Sequence, residues 1–248
     1  MARYFIEVSY YGERYSGFQV QANANSIQAE IEKAFSIYFR HPFLMTGSSR
    51  TDAGVHALQN FFHIDFDPLI PDEAIYHINA ILPSDIVVHS IRPVSPTAHC
   101  RYDALSRDYK YYIYNKKDPF LFNRAHYFPY TLEFSKLEAS AAYIGCQTDF
   151  SSFSKRNSQV TNFTCSIYHS QWLIQDKCLV YHIRANRFLR GMVRGLVATM
   201  LLVGRNKLSM AEFESIIQDK DPSRANFSVP GHGLFLVSVN YDMGIYSR

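Results

Sequence analysis

The segment Gly47-Ser48-Ser49-Arg50-Thr51-Asp52-Ala53-Gly54-Val55-His56 sets a carboxylate two residues from a guanidinium, among small residues that permit a tight backbone path. An ionised carboxylate at an exposed turn can act as a nucleophile or accept a proton, and a nearby cation favours its charged form. Asp and Gly are also ordinary turn residues, so Asp52-Ala53-Gly54 alone would mark only a turn with Arg50 solvated. A second cluster is basic. At roughly 100° per residue, Arg187, Arg190 and Arg194 fall within about 60° of one another on a helical wheel, with Leu189, Met192, Val193, Leu196 and Met200 opposite. Such a face suits phosphate contact or plain solvation. In a third segment, Arg107–Tyr114, strand alternation puts Tyr109, Tyr111 and Ile113 on one face and Lys110, Tyr112 and Tyr114 on the other. Rings on a strand can stack on an unpaired base or fill a core.

Other chemistries lack their residues. Cys100, Cys146, Cys165 and Cys178 are separated by 46, 19 and 13 positions, which gives no C-x-x-C pair for structural zinc and reads as four cytosolic thiols. No pair among His41, His56, His63 and His77 stands four apart around a glutamate, as a metal-binding helix requires, so no metal is expected. Neither a G-x-G-x-x-G nor a G-K-[ST] loop occurs, which argues against an enzyme acting on a small anionic metabolite through a phosphate loop.

The elements that must hold these residues follow from periodicity. In the first half they are a strand at Arg3–Tyr10, a glycine-punctuated loop at 12–21, and a helix entered at Asn25 or Ser26. That helix buries Ile27, Ile31, Ala34, Phe35 and Tyr38, and Asn25 with Gln28 resembles a capping pair. Strands at Phe43–Thr46, Asn60–Phe66 and Ile86–Ile91 and a helix at Pro71–Ile81 come next. The two prolines of Arg92–Ala98 suggest a boundary. Beyond it the pattern predicts strands at Arg107–Tyr114, Phe163–Ile174, Cys178–Ala185 and Leu234–Tyr241. Helices are predicted at Ser135–Ile144, Asn186–Val203 and Ser209–Gln218. Strands and helices mix without regular βα alternation, which favours an α+β class with antiparallel sheets.

A length of 248 residues fits one large or two small domains, and the division drawn here is 1–103 and 104–248. The first part holds 7 Lys+Arg against 11 Asp+Glu and the second 18 against 11, so the basic surplus lies wholly in the second and hints at a polyanion partner. The longest uncharged apolar run, Gly195–Gly204, is about half of what a bilayer crossing needs, so no membrane segment is expected. The strand-like start, with Glu7 early, does not resemble a secretion signal.

Taken whole, Arg50-Thr51-Asp52-Ala53-Gly54-Val55-His56 resembles the active-site signature of the TruA family of tRNA pseudouridine synthases. The likeness continues in order through Ser26-Ile27-Gln28, Asn79–Ile86, Phe188–Arg194 and Gly233–Leu236, over nearly the whole chain. It implies two α+β domains whose sheets share one floor, with the active site in a cleft between them, and a cytoplasmic homodimer that grips tRNA. The implied activity is conversion of uridine to pseudouridine in the anticodon arm, at tRNA positions 38 to 40, without a cofactor. By position in the family motifs, Asp52 is the catalytic carboxylate and Arg194 its arginine partner. Tyr109 lies against the target uracil, Leu234 lines its pocket, and Arg50 fills or holds the space left when the base is extruded. Arg187 and Arg190 are candidate backbone contacts. An RNA-binding module that has lost catalysis is the rival reading, and loss of the aspartate would be its mark; Asp52 is present. The chain departs from the family pattern at Tyr11, Phe18, Ser48-Ser49, Asn162 and Gly191. The last two bear on RNA preference rather than on the reaction.

Overall fold

The computed structural model describes residues 1–67, 69–155 and 160–246. Two compact units emerge, Met1–Leu105 with Leu236–Arg248, and Ser106–Phe235. A cut at 103/104 keeps the last strand whole with the second half, whereas compactness groups its residues from Leu236 onward with the first; sequence order alone does not reveal which strands pair.

In the first unit β1 (Ala2–Tyr10) lies between β4 (Ile86–Val94) and β3 (His56–Phe66), antiparallel to both. The short β2 (Thr46–Gly47) pairs with the far end of β3, and β9 (Leu234–Tyr241) is the next neighbour of β3. α1 (Ile27–Phe39) and α2 (Ala74–Ile81) pack against each other, and α2 packs against β4. α1 buries Ile27, Ile31, Ala34 and Phe35, the stripe its spacing predicts, while Tyr38 stays outside the core. Its cap is Ser26, whose hydroxyl accepts from the Ala29 amide at 3.3 Å. The Asn25 and Gln28 pairing does not form. The Gln28 amide instead donates to Glu32 and to the Met45 carbonyl, both at 2.8 Å, which ties the helix to the strand region after it.

The second unit contains β5 (Ala104–Tyr114, entered from the first), β8 (Cys178–Ala185) and β7 (Ile167–Gln175) in that order, antiparallel throughout. The two-residue β6 (His126–Tyr127) joins β5 in parallel. α3 (Phe134–Gly145) covers β7 and packs on α4 (Met192–Gly204), and α5 (Met210–Gln218) touches both helices. Tyr109, Tyr111 and Ile113 are buried along β5, while among the residues alternation puts on the other face Lys110 and Tyr112 are half-buried and Tyr114 is buried as well. Mixed strands and helices in both units bear out the α+β class. Among the described residues no helix is long and apolar enough to cross a membrane.

Several expected boundaries shift. β4 runs through Pro93 to Val94, so the segment 92–98 is partly strand, and β7 begins at Ile167 rather than Phe163. The largest change concerns α4, expected from Asn186 but starting at Met192 after Gly191, whose φ of +75° is left-handed. Apolar and basic periodicity continues through 186–191, but a backbone in that region cannot extend a right-handed helix. Arg187 and Arg190 therefore do not share a helical face with Arg194.

Candidate active site

The first unit builds a turn around Asp52. The Val55 amide donates to the Asp52 carbonyl at 3.2 Å, and Gly54 at the third position has φ +75°, the left-handed value a type II turn demands. Asp52 is half-buried on this turn, immediately before β3. The preceding loop braces it. Phe18 donates from its amide to the Thr51 carbonyl at 3.1 Å, and Gly54 to the Tyr15 carbonyl at 3.4 Å. A Cβ on Gly12 would stand 1.9 Å from the Val55 carbonyl oxygen, and one on Gly17 would stand 3.0 Å from that of Thr51. Glycine at both places is a condition of the backbones meeting.

Side chains complete the brace. The hydroxyls of Tyr10 and Thr51 share a hydrogen bond of 2.8 Å, and buried Asn60 donates to the Ser49 carbonyl at 2.8 Å. His56 is buried, stacked on Tyr11 with ring centroids 4.3 Å apart, and its Nδ1 accepts from the Gly12 amide at 3.0 Å. Its role is to fix the turn. Arg50 is exposed and lines a concavity of about 270 Å³ within this unit.

In the second unit Arg194 lies on the first turn of α4. Its Nε and Nη2 both donate to the Val229 carbonyl, at 3.0 and 2.8 Å. The next carbonyl, of Pro230, accepts from the Tyr111 hydroxyl at 2.9 Å. Burial raises the Tyr111 pKa well above its ordinary value, with the positive charge of Arg194 opposing, so the phenol remains a donor. The strap carrying these carbonyls is pinned to α4, because the Asn226 amide donates to Thr199 Oγ1 at 3.1 Å and a Cβ on Gly195 would meet the Phe227 ring at 2.7 Å. At its far end Gly233 touches the Tyr111 ring, where a Cβ would lie 2.7 Å from Cζ, and Leu234 follows, buried, as the first residue of β9.

Tyr109 is 8% exposed and meets Phe188 edge to face, with centroids 5.0 Å apart and planes at 84°. Arg187 is half-buried and Arg190 exposed, both on the segment before α4. Asn162 closes a local turn by accepting from the Thr164 amide at 2.8 Å. Of the residues the sequence singles out, the first unit holds Arg50 and Asp52 two residues apart on the loop between β2 and β3. In the second unit Arg194 holds the middle of the strap at Val229, and Leu234 follows its far end.

Among the described residues, His63, His99 and Cys100 bring metal-ligating atoms within 4.8 Å of one another. Spacing could not find this trio, since His63 is on β3 and the others follow β4. Its donor set is of a kind that suits zinc. The atoms also serve each other: Cys100 Sγ lies 3.2 Å from His63 Nδ1 and 3.1 Å from the Thr46 carbonyl oxygen.

The family described as tRNA pseudouridine synthase matches residues 6–103 and 139–242. The chain is 43% identical over 243 residues to the tRNA pseudouridine synthase A of Parabacteroides distasonis, covering 97% of this chain and 96% of that protein. It is 42% identical to the protein of the same name from Porphyromonas gingivalis, over 99% of this chain and 100% of that one. The similarity extends to the more distant tRNA pseudouridine synthase A of an Exiguobacterium species, 35% identical over 98% of this chain and 99% of that protein.

Proposed function

Because the chain belongs to the tRNA pseudouridine synthase family, we propose that it isomerises uridine to pseudouridine in tRNA, in the anticodon arm at positions 38 to 40. The observation that carries this reading is the signature turn: Asp52 half-exposed on a turn held from behind by two glycine contacts and three backbone hydrogen bonds. A carboxylate so fixed loses little entropy when it engages a sugar carbon.

The reaction breaks the N1–C1′ bond and forms C5–C1′; C5 loses a hydrogen and N1 gains one. Atoms balance and no electrons are transferred, so no redox cofactor is called for. In this reading Asp52 acts on the reacting nucleotide, by attack at C1′ or in proton removal. Arg194 serves the same reaction as its arginine partner. Tyr109 and Leu234 contact the uracil, Arg50 holds the space the extruded base leaves, and Arg187 and Arg190 meet the RNA backbone. The enzyme works in the cytoplasm, where its tRNA substrate is, and as a homodimer.

The test is release of tritium from tRNA labelled at C5 of uridine, with the product nucleoside identified by chromatography. Stoichiometric release with pseudouridine formed is the expected result. Tight tRNA binding with no release and no pseudouridine would leave an RNA-binding module instead.

A further inference from the structure

The concavity of about 270 Å³ beside Arg50 is lined by Arg101, Tyr102, His99, Phe18 and Gln19 among others, and among the described residues no carboxylate lines it. Tyr102 is 74% exposed, so its ring contributes little to the core. It is nevertheless placed. The His99 ring lies against it with centroids 4.3 Å apart and planes at 37°, and the Arg101 guanidinium carbon sits 5.7 Å from its centroid.

The turn that presents these groups is tightly bonded. Tyr102 and Asp103 donate from their amides to the His99 carbonyl at 3.1 and 3.0 Å, and the Arg101 amide donates to His99 Nδ1 at 3.2 Å. The Asp103 carboxylate is turned back to accept from the His99 amide at 2.7 Å. Gln28, another lining residue, is committed to Glu32 and Met45. Phe18, also on the lining, is buried, stacked on Phe62 at 4.7 Å and packed against Gly47, where a Cβ would come within 2.2 Å of the ring. An aromatic face with two guanidiniums around one hollow matches one nucleotide: a base for the ring, a phosphate for the cations.

We propose that this hollow is a second nucleotide subsite, in which Tyr102 stacks a base flanking the target uridine while Arg101 contacts its phosphate. The inference rests on the activity proposed above and adds to it a positioning site beside Arg50. Unpaired loop nucleotides of an RNA present free base faces for such stacking. A subsite that engages the RNA equally before and during the reaction lowers KM and leaves kcat alone.

The experiment compares wild type, Tyr102→Ala, Tyr102→Phe and Arg101→Ala, measuring tritium release for kcat and KM and fluorescence anisotropy for the tRNA Kd. Tyr102→Ala is expected to raise KM and Kd by about 5- to 100-fold, with kcat within about twofold and an unchanged Tm; Tyr102→Phe restores both constants. Arg101→Ala reduces the slope of log Kd against log salt by about 0.7 to 0.9. An abasic nucleotide at the flanking position makes wild type and Tyr102→Ala equivalent. If Tyr102→Ala leaves KM and Kd within twofold of wild type, the subsite is wrong although the activity stands. If wild type releases no tritium the activity reading falls, and the anisotropy comparison still decides the subsite.

Discussion

Asp52 and Arg194 reach their places by different means. Asp52 stands on a turn fixed by main chain against main chain: Gly12 and Gly17 let the preceding loop come within contact of Thr51 and Val55, and Gly54 supplies the left-handed residue. Arg194 stands on a regular helix and is held by its own side chain, through two hydrogen bonds to the Val229 carbonyl. The first arrangement depends on a missing Cβ, the second on a charged donor. Each should therefore fail under a different substitution.

The largest effect on stability should come from Gly12→Ala. Its new Cβ would lie 1.9 Å from a backbone oxygen that cannot move without shifting the turn, so the variant should lose about 3 kcal/mol or more in urea unfolding. Gly191→Ala gives the contrast. Its nearest neighbours would be 3.7 Å away, leaving only the cost of φ +75°, about 1–2 kcal/mol. Similar losses from the two variants would show that close approach does not hold the turn.

Arg194→Ala removes a charge-assisted pair of bonds and should cost about 1.5–3 kcal/mol, with tritium release down about 10²-fold or more. Arg194→Lys keeps the charge but not the two-pronged donation to Val229, and should recover only part of both. Arg50→Ala should reduce turnover at saturating tRNA by roughly tenfold, on the scale of a base-extrusion cost, while Tm stays at the wild-type value because the side chain is exposed. Unchanged turnover would remove Arg50 from the account.

The two units share one acid-sensitive feature. Burial, with His99 adding to it, lowers His63 to about 4, and burial beside His232 does the same to His126. Both folded values lie below the ordinary histidine value of 6.5. Between pH 6.5 and 4 the unfolded chain binds more protons, so stability is full above that window and falls as pH drops through it. The slope is at most about 1.4 kcal/mol per pH unit for each group. His63→Gln should flatten the fall in urea midpoint across the window; an unaltered slope would show that His63 does not titrate with folding.

Periodicity gave the elements most faithfully where they are regular. The limits of β8 and β9 coincide with the alternating runs 178–185 and 234–241, and α1 buries the stripe that its spacing marks. It failed where one residue's conformation decides. Residues 186–191 carry helical periodicity, yet Gly191 in the left-handed region delays α4 to Met192 and separates Arg187 and Arg190 from Arg194. At α1, Asn25 and Ser26 are both good caps, and only the geometry selects Ser26. The signature turn was legible as a string of residues. Its brace was not, because contacts of Gly12 with Val55 and of Tyr10 with Thr51 span more than 40 residues. The trio of His63, His99 and Cys100 escaped likewise, since it joins two segments more than 30 residues apart.

The central claim is that Asp52 performs the chemistry and does not merely shape the turn. The direct measurement is tritium release from C5-labelled tRNA by Asp52→Asn in a single turnover, beside its tRNA affinity. Asparagine keeps the shape and removes the charge, so the account predicts wild-type affinity within about threefold and release slowed by at least about 10³-fold. Release within tenfold of wild type, with binding intact, would contradict it.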